Sequence, residues 1–169
     1  MKHRSALRML ALTAVATTSL LAATQAAFAS RELAHIGAWS AEMGGNSPSQ
    51  KFCVMKETFR DGGAFGFRFD HAGVHMYAYK PQWHLSGKGK NLQMIVNVNG
   101  VDSSQSARVA TQHLVKTDNI SEKTFDSLMN SKRAHLRIMF THPVTWTLNM
   151  NGARQIAGVM DRCVHQQGV

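Results

Sequence analysis

The sequence predicts an α+β domain that is mainly β: a twisted antiparallel sheet, half-barrel or sandwich-like, with two short helices, the last one C-terminal. Three observations carry that expectation. Apolar residues alternate with polar or small ones in several short segments, the mark of strands with one buried face. Turn-forming residues separate those segments at short intervals. Two stretches instead show i, i+3, i+4 spacing, one between strands and one at the end of the chain.

The elements follow in order. Ser30 to Gly37 reads as a loose lead-in, and Gly44-Gly45-Asn46-Ser47-Pro48-Ser49 as a loop. Lys51 to Phe59 is the first expected strand, and Asp61-Gly62-Gly63 a turn. Ala64 to Phe69 is the second strand, in which Phe65, Phe67 and Phe69 alternate with Gly66 and Arg68. Asp70-His71-Ala72-Gly73 turns the chain into a third strand, Val74 to Tyr79, and the three form a meander. Pro81 ends that strand or confines it to an edge. Lys80 to Leu85 is an irregular crossing, and Ser86-Gly87-Lys88-Gly89-Lys90 a flexible basic loop.

Asn91 to Val98 alternates cleanly, with Leu92, Met94, Val96 and Val98 on one face. Asn99-Gly100 is a type I′ hairpin signal, because both positions need φ > 0. The return strand reads as short and polar, over Ser106 to Thr111, with His113 to Lys116 continuing the sheet. Ser121 is placed to cap a helix over Glu122 to Ser131, with Phe125, Leu128 and Met129 on its apolar stripe. A hairpin follows, with Leu136, Ile138 and Phe140 on one arm and Val144, Trp146, Leu148 and Met150 on the other. Asn151 is positioned to cap a last helix whose stripe is Ile156, Val159, Met160, Cys163 and Val164.

Ahead of this domain, Lys2, Arg4 and Arg8 form a positive start, and Met9 to Leu21 carries no charge. Ala27-Phe28-Ala29 supplies small residues at the two positions a signal peptidase reads. Residues 1–29 are therefore expected to be a signal peptide, and 30–169 a single β-rich domain in the periplasm or outside the cell. No second apolar stretch of membrane length follows. The whole chain carries a net charge of +9, and it remains basic without the three leader cations. In an exported protein that charge points away from nucleic acid and towards a protein or an envelope component as partner.

Cys53 and Cys163 are the two cysteines. An even count in an exported domain reads as a disulfide, here closing a loop of ~110 residues. Redox and zinc sites use closely spaced pairs, which this sequence lacks.

The chain also has a recognisable layout. Trp39, Cys53, Asp61-Gly62 and Pro81-Gln82-Trp83 come early. Phe125 and Leu128, Leu136-Arg137-Ile138-Met139-Phe140, Trp146-Thr147-Leu148-Asn149-Met150-Asn151-Gly152, then Ala157, Met160 and Cys163 close it. This resembles the invasion-associated locus B family of small exported proteobacterial proteins. The resemblance implies an exported domain of this fold; many proteins of that layout have no assigned activity. The chain departs from the family pattern in its lower cysteine count and in the spacing of its middle.

Catalytic signatures are missing: the sequence has no G-x-S-x-G elbow, no phosphate loop and no dinucleotide fingerprint. Asp61, Asp70, Asp102 and Asp118 fall where turns or loops are expected. No catalytic residue and no cofactor are expected, and the reading is a non-enzymatic binding protein. Its candidate surface is an aromatic and basic strip, Tyr77, Tyr79, Lys80, Trp83, Lys88 and Lys90, with His84 among them. The alternative is a copper or zinc protein, suggested by nine His and ten Met. Its ligands would be His71, His75 and Met76, although neighbouring strand residues face opposite ways. A second group, His135, Met139 and His142, is too spread along a strand for one ion.

Overall fold

The computed structural model describes residues 30–169; the signal peptide expected over residues 1–29 lies outside the described residues. Ten strands and two helices follow one another: β1 (Arg31–Ile36), β2 (Trp39–Gly44), β3 (Phe52–Thr58), β4 (Ala64–Asp70), β5 (Gly73–Tyr79), β6 (Asn91–Val98), β7 (Val101–Thr111), β8 (Leu114–Asn119), α1 (Glu122–Met129), β9 (Arg133–Ile138), β10 (Val144–Asn149) and α2 (Ala153–Gln167). All ten strands belong to one open sheet in the order β1-β2-β3-β4-β5-β8-β7-β6-β9-β10. Every pairing is antiparallel.

Local chemistry makes the hairpins. Asn99 and Gly100 have φ of 52° and 83°, so a two-residue turn joins β6 to β7 with Val98 opposite Val101. Gly66 on β4 is opposite Tyr77 on β5. A Cβ at Gly66 would run into the Met55 carbonyl oxygen and the Tyr77 hydroxyl, so glycine is what lets Tyr77 lie across β4. The Ser121 hydroxyl accepts from the Thr124 N–H at 3.2 Å and caps α1.

Register then sorts the faces. Ala41, Met55, Phe67 and Met76 stand side by side across β2 to β5, all fully buried. Trp39, Glu57, Phe65 and Ala78 form the neighbouring inner row. Met94, Val96, Leu136, Ile138 and Leu148 continue the same core on the other half of the sheet. The helices cover the side that carries this core: Phe125 of α1 meets Phe67 and Phe69 edge-on at 5.1 and 5.7 Å. Ile156, Met160 and Cys163 of α2 are buried, and α2 packs on β1, β2 and β3. Cys53 and Cys163 are joined by a disulfide.

Several boundaries differ from the sequence reading. The segment expected as a loose lead-in is β1, and β2 was not foreseen, so Cys53 lies on the third strand rather than the first. The return strand after Asn99-Gly100 is not short: β7 runs the full eleven residues from Val101. Asn151 does not cap the last helix; Gly152, with φ of 91°, holds that position. A Cβ on Gly152 would run into the Ile36 carbonyl oxygen of the β1–β2 turn, so close approach of that turn selects glycine.

The open sheet is latched at one corner. The Trp39 indole donates to the Asn149 carbonyl at 2.7 Å, and the Asn149 N–H donates to the Glu57 carboxylate at 3.1 Å. One edge residue of β10 is thus held by two side chains from β2 and β3. Glu57 is buried, and burial pushes its carboxyl up to about 7, against the smaller opposing effect of the Asn149 N–H. A group raised in the folded state contributes stability that is full below its unfolded value near 4.5 and lost as pH rises through about 7. The expected result is a loss on the order of 2 kcal/mol across that window. Urea denaturation from pH 4.5 to 8 should show it, and Glu57→Gln should flatten the profile. An unchanged slope in that variant would refute the assignment.

Candidate functional site

The site lies where the crossing after β5, the start of β6 and the β9–β10 loop converge. Backbone bonds fix the crossing. Lys80 N–H donates to the His113 carbonyl and Leu85 N–H to the Gln112 carbonyl, at 3.0 and 2.9 Å. The His113 Nδ1 lies 2.6 Å from the Trp83 carbonyl, a contact that requires this nitrogen to carry the proton. The basic loop is tied to β7 as well: Gly89 N–H donates to Val109 and Val109 N–H to Lys90, at 2.8 and 3.1 Å. On the opposite wall, Met139 N–H donates to the Gln93 carbonyl at 2.9 Å, extending β9 beside β6.

These segments enclose a groove of about 480 Å³, within the roughly 300–1,000 Å³ usual for ligand sites. His84, Lys90 and His142 supply its basic side chains, and Ser86, Asn91 and Thr141 its neutral polar groups. Leu85, Leu92, Val109, Met139 and Phe140 supply apolar lining. No Asp or Glu lines it. Lys88 stands at the loop tip between Ser86 and Lys90 and, like Lys90, is exposed. Neither lysine forms an ion pair among the described residues.

Rings stiffen the back of the groove. Trp83 stacks on Trp146 at 5.6 Å with an interplanar angle of 2°, and meets Phe140 at 5.4 Å. Phe59 continues the cluster onto Trp146 at 5.0 Å. Trp83 therefore supports Phe140, which is part of the groove wall.

The expected strip is divided by the fold. Lys90 lines the groove, Lys88 is exposed in the same loop and Trp83 backs it. Tyr79 is 36% exposed, with the His113 ring at 6.4 Å. Lys80 is paired with Asp61 at 2.8 Å, and that bond, with the Gly63 N–H, holds the Asp61 carboxyl below its ordinary value. Tyr77 lies half-buried over Gly66 on the face opposite Phe65 and Phe67, and burial pushes its phenol well up. Its row runs from Lys56 through Lys116 and Arg108 to Asn91, so Tyr77 stands three strands away from the groove's nearest residue in that row.

The metal candidates are separated. Met76 is fully buried in the core, and His71 contacts the Pro48 carbonyl at 3.1 Å. His75 is buried, with Nδ1 3.2 Å from the Thr117 carbonyl and Nε2 3.5 Å from Asp70. Burial alone would raise the Asp70 carboxyl; the Arg68 hydrogen bond, the Ala72 N–H and the nearby cationic charge together bring it below its ordinary value. Among the described residues no three His, Cys, Asp or Glu side chains are grouped to hold a metal ion.

His142 and Met139 are the groove residues that sequence reasoning weighed only as metal ligands. Their signal was position: a methionine on the outward side of an alternating strand, 37% exposed, next to a His-Pro turn. A second hollow, about 320 Å³, lies between β6, β7 and the start of α1. Its hydroxyls bond to one another, Ser103 to Thr124 at 3.2 Å and Ser121 to Thr124 at 3.0 Å, which leaves less to offer a ligand.

No family model matches the chain, and no curated protein does. Among solved structures, the chain is similar to invasion associated protein B from Bartonella henselae. The TM-score is 0.55 at 15% identity, covering 80% of this chain and 96% of that one. The likeness is one of fold, and it agrees with the resemblance carried by the sequence.

Proposed function

We propose that this chain is a non-enzymatic binding protein, exported to the periplasm or beyond, that engages a protein or envelope component through the basic groove. The observation that carries the reading is the groove's composition: lysine and histidine around an apolar lining, without a carboxylate to neutralise them. Such a site attracts anionic partners and repels cationic ones. Its walls are fixed by backbone bonds and stacked rings, so little ordering cost falls on binding. The disulfide supports the export half of the reading, since such bonds persist in oxidising compartments. The metal alternative has no comparable support: Met76 is packed in the core, and among the described residues His71 and His75 belong to no cluster of three His, Cys, Asp or Glu.

Co-sedimentation with isolated cell envelopes tests this reading. The triple variant Lys88→Ala/Lys90→Ala/His142→Ala should lose at least tenfold in envelope affinity while its melting temperature stays near that of the parent, because all three side chains are exposed. Undiminished binding by that variant would remove the groove from the function.

A further inference from the structure

We propose that the groove takes a phosphate-bearing lipid, with the headgroup against the basic rim and the start of an acyl chain along the apolar lining. This rests on the groove being the binding site and names its ligand. The lining is amphipathic in the sense such a molecule needs. Lys90, His84 and His142 carry the donors, with Lys88 exposed two residues before Lys90 in the same loop, and Leu92, Met139 and Phe140 offer hydrocarbon and thioether surface. Met139 is one of three large apolar residues exposed among the described residues, and the one that lines this groove. Exposed Met beside unpaired lysine is a combination that a free inorganic anion would leave half unused.

Two other ligand classes fit less well. An acidic peptide would add to a sheet edge through backbone bonds. Here the backbone groups of Leu85, Gly89, Val109 and Met139 are already spent on Gln112, Val109, Lys90 and Gln93. A neutral glycan would need an open aromatic face, but Trp83 has a face stacked on Trp146 and is only partly exposed.

The test is flotation of the purified protein with three kinds of probe: phosphatidylcholine vesicles, phosphatidylcholine vesicles containing phosphatidylglycerol, and soluble glycerol phosphate as competitor. Binding is expected only to the anionic vesicles, with glycerol phosphate competing poorly. Each lysine near an anionic surface contributes about 1 kcal/mol, so Lys88→Gln/Lys90→Gln should weaken binding about thirty-fold. Met139→Ser should weaken it several-fold with the lysines intact. The control is Lys132→Gln/Arg133→Gln, which removes two exposed cations outside the groove. Equal loss in both double variants would show diffuse surface charge and overturn the proposal. So would full competition by glycerol phosphate, which would assign the site to a soluble anion. Absence of vesicle binding, with groove-dependent envelope binding retained, would overturn the lipid and leave the binding reading standing. Unchanged envelope binding by the groove variants would instead overturn that reading.

Discussion

Replacing both cysteines, Cys53→Ala/Cys163→Ala, should lower stability by about 4 kcal/mol and the melting temperature by roughly 10–20 °C, without abolishing the fold. The sequence separation of 110 sets the size of the effect, because the bond removes the freedom of a long loop from the unfolded chain. Retention of the fold is expected from the remaining contacts. Ile156 and Met160 stay buried, and α2 still packs on β1, β2 and β3. The measurement is urea denaturation of oxidised, reduced and double-variant protein. Reduced and variant proteins should unfold at similar midpoints, both below the oxidised one. A midpoint unaffected by reduction would show that the sheet and α2 need no covalent clamp.

Trp39→Ala should cost about 3–5 kcal/mol, at the upper end for a single core residue. Trp39 is fully buried, stacked on Phe67 at 6.1 Å and edge-on to Phe65 at 6.3 Å. Its deletion leaves a cavity in the inner row and removes the donor that holds the Asn149 carbonyl. Trp39→Phe separates the two effects. It keeps a ring in the stack while losing the hydrogen bond and only part of the buried ring volume, so it should cost less, about 2 kcal/mol. If the two variants were equally destabilised, packing would contribute nothing beyond the bond, and the account of the inner row would fail.

What the sequence made legible was local. β3 to β5, β6 with its Asn99-Gly100 turn, α1 with its Ser121 cap and the β9–β10 hairpin follow from alternation and turn chemistry within a few residues. β1 and β2 are hidden because RELAHI and WSAEMG mix Ala, Glu and other residues of little strand preference without clean alternation, and their place in the sheet is imposed by pairing of β1 with β2 and β2 with β3. β7 was read short because its first half is polar. Ser103 and Gln105 bond to Thr124 of α1, so a hydroxyl cluster replaces the expected apolar face. The joining of β5 to β8 is non-local and leaves no mark in either strand.

The groove was half legible for the same reason. Lys88, Lys90 and Trp83 stood out as a basic, aromatic segment, but the opposite wall, Met139 to His142, is distant in sequence. Only the pairing of β6 with β9 brings it across. Composition does not say that Gly66 opens a seat for Tyr77 on the face opposite Phe65 and Phe67, several strands from the groove.

The strand order has a consequence for how the molecule comes into being. β1 to β5 are joined by short hairpins and can assemble from neighbouring residues at small entropic cost. The helix that packs on β1, β2 and β3 belongs to the far end of the polypeptide. A nascent chain that has made β3 but not α2 holds Cys53 without its mate, since Cys163 lies 110 residues further on. The expected order is therefore meander first and oxidation late, which trapping of free thiols during refolding would check.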